Sequence, residues 1–124
     1  MPSPGPKLSF IAEDERGASW GLTFPDGSEA IIIFSKKGAF RGGHSHNVDE
    51  ISLLLSGKAH YWKRTGDGQE SEFDELPGEA LFNKAGHPHL ARFDEDSWLF
   101  DWRLGKPVVT HAYPTYRGRV ERQH

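Results

Sequence analysis

The chain has 124 residues, no cysteine, and 15 basic against 18 acidic side chains, giving a net charge of −3 with its seven histidines neutral. That length suits one globular domain with a buried core. The composition excludes disulfides, thiolate metal sites and a cysteine nucleophile, and the scattered Lys and Arg offer no basic stripe to nucleic acid. The opening Met1-Pro2-Ser3-Pro4-Gly5-Pro6-Lys7 lacks the apolar core of a signal peptide, and no apolar run nears the roughly 20 residues of a membrane span. A cytoplasmic location with no membrane or nucleic-acid partner is the resulting expectation.

After the Pro-rich start, short runs of β-branched, aromatic and alternating residues recur between Gly, Pro and Asp, the pattern of an all-β barrel or sandwich. Leu8–Ala12 reads as a first strand and Ser19–Phe24 as a second, with Pro25-Asp26-Gly27 turning into Glu29–Ser35. Ile31, Ile32 and Ile33 run without alternation, as in a strand buried on both faces. Glu50–Leu55, Ser56-Gly57 and Lys58–Arg64 read as strand, tight turn, strand, and Gly66-Asp67-Gly68 closes a hairpin onto Ser71–Leu76. Pro77-Gly78 leads into Ala80–Asn83, Lys84-Ala85-Gly86 into His87–Phe93, and Asp94-Glu95-Asp96 into Trp98–Leu104. The barrel core is therefore placed at about 8–105. From Pro107 to residue 124 Pro, Gly and polar residues dominate, and an irregular tail is expected, laid over the barrel or a partner subunit.

Side chains two apart on a strand share a face, so His44 and His46 aim two imidazoles at one point. On a helix they would diverge by roughly 200°. Glu50 follows a turn-like Asn47-Val48-Asp49 that brings a carboxylate back to the same point, and His89 is a fourth candidate donor. Three nitrogens and a carboxylate suit a divalent first-row metal such as Fe, Mn, Ni, Cu or Zn. Continuing the parity of Glu50 sends Ser52 and Leu54 inward, with Ile51, Leu53 and Leu55 against an opposite layer.

The spacing Gly38, His44, His46, Glu50, Gly57 resembles the first motif of the cupin superfamily at every position. The second motif is matched at Gly78, Gly86 and His89, while Lys84 stands where the family has a turn proline and Phe93 where it has an asparagine. The resemblance covers Gly38 to Phe93. It implies a single-domain double-stranded β-helix, a jelly-roll barrel whose mouth holds the ligand, with His44, His46, Glu50 and His89 as metal ligands. An octahedral ion on four protein donors keeps two positions for water or substrate, the open-site condition for chemistry. Single-barrel members pair commonly through edge strands or swapped N-terminal segments, so a homodimer is expected, with Leu8–Ala12, Tyr113 and Tyr116 as contact material.

Around the donors, His60, Tyr61 and His87 are the acid–base candidates. Arg41 and Arg92 are candidates to clamp an anionic substrate. Phe82, Phe93 and Trp102 are assigned to substrate contact from an aromatic set that also includes Trp62, Trp98 and Phe100, for which core packing or a subunit interface is the alternative use. The expected function is a metal-dependent enzyme acting on a small molecule, by dioxygenase-type oxidation or by metal-assisted isomerisation or elimination. Arg41-Gly42-Gly43-His44-Ser45-His46 also resembles the Arg-Gly-x-His-x-His stretch of metal-free sugar-nucleotide ketoisomerases, where the histidines do acid–base work on a hexulose. A non-catalytic ligand-binding barrel is the third alternative.

Overall fold

The computed structural model describes residues 5–105 and 108–123, with side chains as far as residue 120. Most of the Pro-rich start and Pro107, where the tail was expected to begin, lie outside the described residues. Among the described residues eleven strands form two antiparallel sheets. One takes β1 (Lys7–Asp14), β2 (Gly17–Thr23), β3 (Glu29–Ser35), β5 (Glu50–Ser56), β8 (Ala80–Asn83) and β10 (Ser97–Arg103) in the order β1-β2-β3-β10-β5-β8. The other takes β4 (Phe40–His46), β6 (Ala59–Arg64), β7 (Glu70–Glu75), β9 (His89–Phe93) and β11 (Thr110–Ala112) in the order β11-β4-β9-β6-β7. This is the expected all-β jelly roll.

The sheets face each other across one apolar core. Leu54 and Leu99 come from the larger sheet and Ala59, Tyr61, Ala91 and Phe93 from the smaller, with Ile33, Phe73 and Leu81 packed around them. Each sits at an alternating inward position of its strand, which is how a two-layer β fold removes apolar area from water. Ser52 and Leu54 point inward as parity requires. Their neighbours do not meet an opposite layer: Leu55 is half exposed, and Ile51 and Leu53 lie on the outer face of the larger sheet. The triple isoleucine divides the same way, with Ile31 and Ile33 lining the inner cavity and Ile32 in register with Trp20 and Phe100 outside.

Glu50–Leu55 and Lys58–Arg64 are not a hairpin, because β5 pairs with β10 and β8 while β6 pairs with β7 and β9. Ser56-Gly57-Lys58 crosses from one sheet to the other. Gly57 has φ +95°, and a Cβ there would run into Ser97 Oγ and the Asp96 carbonyl, so the crossing requires glycine twice over. The tail is not irregular either. It adds β11 to the edge of β4 and then forms α1 (Pro114–Gln123). Pro114 opens the helix, where its missing N–H costs nothing. Tyr116 and Val120 then bury Phe40 and Leu90 on the outer face of the smaller sheet, flanked by Trp62 and Tyr113. A single apolar stripe of Tyr113, Tyr116 and Val120 among polar neighbours is a weak helical signal, and docking onto that sheet stabilises it. Among the described residues no helix is long and apolar enough to cross a membrane.

Candidate metal centre

β4 carries the first two histidines and also a break in its own alternation. Gly42 and Gly43 adopt φ +93° and +77°, and the pairing of β4 with β9 slips between Gly42 and His44. Gly43 is the extra residue of a bulge. Without it, Arg41, three positions before His44, would face the opposite side. With it, Arg41 pairs with inward-facing Ala91, His44 pairs with His89, and all line one cavity of about 310 Å³. The chain then bends through Asn47–Asp49 into the other sheet, where Glu50 starts β5 and turns inward. Asp49 Oδ1 accepts from Ala85 N at 2.8 Å and the His46 carbonyl from Gly86 N at 2.8 Å, which ties this bend to the turn that launches β9 and His89. Strand β9 begins after Pro88, which has no N–H to give a ladder, and not at His87 as expected.

The imidazoles of His44, His46 and His89 converge. Their ring centroids are 4.5, 5.1 and 5.6 Å apart, and one ring nitrogen from each lies within 4.8 Å of the others. Burial, reinforced by His89 and His46, pushes His44 down to about 3. Burial and then His46 bring His89 to about 4, and burial also lowers His46. All three rings therefore stand neutral at physiological pH with lone pairs to offer. Glu50 faces two of them, Oε2 at 3.5 Å from His46 Nε2 and Oε1 at 3.8 Å from His89 Nε2. These gaps exceed hydrogen-bond length. Imidazole nitrogens and a carboxylate, aimed at one another yet unbonded, fit a cation between them.

Residues distant in sequence hold this arrangement. Arg103 Nε donates to Glu50 Oε2 at 3.0 Å, and Asn83 Nδ2 approaches Oε1 at 3.5 Å. His46 Nδ1 lies 2.9 Å from Thr110 Oγ1 on β11. With Nδ1–H donating there, the lone pair is on Nε2, the nitrogen that faces Glu50. Replacing Thr110 with valine removes that partner at constant volume, and divalent-metal affinity measured by competition with a chelator is expected to fall about tenfold. No sequence motif marks Thr110 or Arg103, since neither shares a segment with the histidines.

No protein-family model matches the sequence, and no curated protein matches it. Solved structures do. The capsular polysaccharide assembling protein CapF from Staphylococcus aureus superposes with a TM-score of 0.72 at 23% identity, over 86% of this chain and 31% of that one. Oxalate decarboxylase from Bacillus subtilis, in a study of its Mn(II) centres, superposes with a TM-score of 0.74 at 20% identity, over 85% of this chain and 30% of that one. Both are cupin-fold proteins. This chain has the cupin fold. It spans about a third of the length of either neighbour.

The cupin barrel of this chain keeps the second-motif turn without its proline. Gly86, at φ +80°, makes the turn, and the Gly86 N–H to His46 carbonyl bond closes it. Phe93, standing where the motif has asparagine, is fully buried in the apolar core and does not line the cavity. Of the acid–base candidates only Tyr61 lines it, with its hydroxyl 3.3 Å from Ser52 Oγ. Complete burial, then the nearby Glu75 and Asp101, raise its pKa well above that of an ordinary tyrosine, which keeps its hydroxyl protonated.

The remaining candidates lie elsewhere. His60 is on the outer face of the smaller sheet, with Nδ1 and Nε2 each 2.7 Å from a carboxylate oxygen, Asp74 Oδ1 and Glu72 Oε1. Burial works to lower its pKa, but those two bonds outweigh burial and raise it. Parity carried over from β5 misplaces it, because the Ser56–Lys58 crossing changes sheets. His87 sits in the turn before β9, near Gly66, outside the cavity lining. Phe82 is 53% exposed on edge strand β8, and Trp102 is 41% exposed on the outer face of β10 beside Phe24. Arg92 pairs with Asp94 and lies over the Trp62 ring. The cavity lining instead includes Asp101, Arg103, Arg16 and Arg117.

Proposed function

We propose that this cupin is a metal-dependent enzyme acting on a small molecule, with His44, His46 and His89 as nitrogen ligands and Glu50 as the carboxylate ligand. The observation that carries this reading is the convergence of three neutral imidazoles, those of His46 and His89 buried and that of His44 partly so, on one point facing Glu50. A divalent first-row cation held there supplies a Lewis acid and open positions for a chelating substrate, with oxygen chemistry if it is redox-active. The protein's part is positional. Arg103 and Asn83 orient Glu50, Thr110 selects the His46 tautomer, and Tyr61 holds a proton at its hydroxyl for donation to a bound oxygen atom. Asp101, its carboxyl pushed up by burial and by Glu50, stands as a neutral acid on the same wall. Isomerisation or elimination uses such groups directly. Dioxygenase-type oxidation needs them only to orient the substrate.

Elemental analysis of protein purified without a polyhistidine tag tests the assignment. Wild type is expected to carry stoichiometric divalent metal and the His44→Ala/His89→Ala double variant none. Full metal content in the double variant would sink it. The metal-free ketoisomerase reading is favoured by Arg41 to His46 and requires an imidazole that takes up a proton near neutrality. A His44 pKa of about 3 works against that role, and chelator-insensitive turnover of a deoxyhexulose nucleotide would restore it.

The homodimer reading is supported by the outer face of the larger sheet. Phe10 meets Trp20 edge-on, Trp20 stacks on Trp98 and Phe34 lies tilted against Trp98, with Phe10 61% exposed. Light scattering is expected to give twice the 13.9 kDa chain mass. A monomer mass at micromolar concentration removes this reading.

A further inference from the structure

Four arginines line the cavity beside the three imidazoles: Arg16, Arg41, Arg103 and Arg117. Two are neutralised where they stand. Arg16 grips Asp14 Oδ2 through Nε at 3.1 Å and Nη2 at 2.7 Å, and Arg103 holds Glu50. Arg41 and Arg117 have no carboxylate at ion-pair distance among the described residues. Arg41 donates from Nε to Ser35 Oγ at 3.0 Å and from Nη2 to the Phe34 carbonyl at 3.1 Å. Arg117 reaches the Gly42 carbonyl from Nη1 at a long 3.4 Å. A guanidinium has five N–H donors, so each keeps donors in hand.

Both positions depend on the double glycine. The Gly43 bulge turns Arg41 inward, and a Cβ on Gly43 would lie 2.9 Å from Arg117 Cδ, so only glycine lets the Arg117 stem pass from α1 over β4. Burial, and then Arg16, depress the Arg41 pKa, and Asp14, beyond ion-pair distance and held by Arg16, offsets this only in part. A half-buried guanidinium with no carboxylate in contact gains most from an anion that brings one.

We propose that Arg41 and Arg117 form an anion clamp on the cavity wall, and that the small molecule bound beside the three histidines carries a carboxylate or phosphate group. This rests on the reading of that cavity as the substrate site. The planar guanidinium fork suits either group in bidentate fashion. A cavity of about 310 Å³ is at the small end of ligand pockets and suits a small organic acid or phosphate ester.

Calorimetric titration of malonate, inorganic phosphate and neutral malonamide into metal-free and metal-loaded protein tests the clamp. Malonate or phosphate is expected to bind metal-free wild type and malonamide not, and the preferred anion identifies the group. Arg41→Gln and Arg117→Gln are each expected to weaken that binding about tenfold or more, with metal content unchanged. Anion affinity unaltered in the double variant, or malonamide binding as tightly as malonate, overturns the proposal. Should Arg41→Gln fail to fold, as judged by circular dichroism, Arg117→Gln and Arg117→Lys decide it alone: unaltered malonate and phosphate affinity in both refutes the clamp. Wild type that takes up no metal refutes the enzyme reading and leaves the clamp standing, because titration into metal-free protein reads the arginines by themselves.

Discussion

Glu50→Gln is expected to cost about 3–5 kcal/mol of unfolding free energy in metal-free protein, the penalty of leaving one partner of a buried ion pair behind. Glu50 is 2% exposed and Arg103 Nε lies 3.0 Å from its Oε2. The amide keeps the volume of the carboxyl, so the loss reads charge and not packing. Arg103 would then point its guanidinium at three neutral imidazoles and an amide, with the buried Asp101, itself held protonated by burial and by Glu50, as the carboxyl left nearby. In the Arg103→Met background the sign reverses. There Glu50 is itself the orphaned charge, and Glu50→Gln is expected to stabilise. Urea denaturation of the four proteins, in the presence of chelator, gives the coupling directly. An equal loss in both backgrounds would show that the pair does not hold Glu50. The same Glu50→Gln protein is expected to bind divalent metal far more weakly, since it loses the carboxylate that faces His46 and His89.

Glu75→Gln is expected to act in the opposite direction and to depend on pH. Glu75 is 1% exposed, and the Tyr61 hydroxyl, which works to lower its pKa, only partly offsets that burial. Burial, and then Asp101 and Glu79, push its pKa up to about 8. The unfolded chain ionises this acid near its ordinary value of about 4.5, whereas the folded protein keeps it protonated. The stabilising contribution is therefore complete below pH 4.5 and is lost as pH rises towards 8. Glutamine does not titrate. The variant and wild type are expected to be equally stable near pH 4.5, with the variant ahead by about 2–4 kcal/mol at pH 8.5.

The difference between the two proteins has to be followed across pH. The three depressed histidines contribute a trend of the other sign, with stability lost as pH falls below about 6.5 towards 4. That trend is common to both proteins and cancels in the difference. A difference that stays flat from pH 4.5 to 8.5 would mean that Glu75 is ionised in the fold. The effect also reaches the cavity, because Glu75 and Asp101 raise the pKa of Tyr61.

Much of the barrel was legible in the residues. Alternation and turn punctuation placed Glu29–Ser35 and Ala80–Asn83 at their observed bounds, because strands buried on one side must alternate and tight turns need Gly, Pro or Asp. The pairing of His44 with His46 follows from strand parity. His60 marks the limit of the same rule, which holds along a strand and fails across a connection that changes sheets. Phe82 and Trp102 mark another, since aromatic character says that a side chain seeks cover and not which cover it finds. The helix after Pro114 was hidden because its apolar stripe is short and its stability comes from Phe40 and Leu90, some seventy residues and more than twenty residues upstream.

The sequence by itself determined the fold class, the shared strand face of the two histidines, and the nature of the donors, because period-two alternation and imidazole chemistry are local properties of the chain. Only the tertiary structure decided what surrounds those donors: Arg103 on Glu50, Thr110 behind His46, Arg117 lining the same cavity as Arg41. Each of these partners arrives from another strand or from the helix. Strand pairing and packing between sheets, which set their distances, are collective properties of the folded barrel and leave no mark on any one segment.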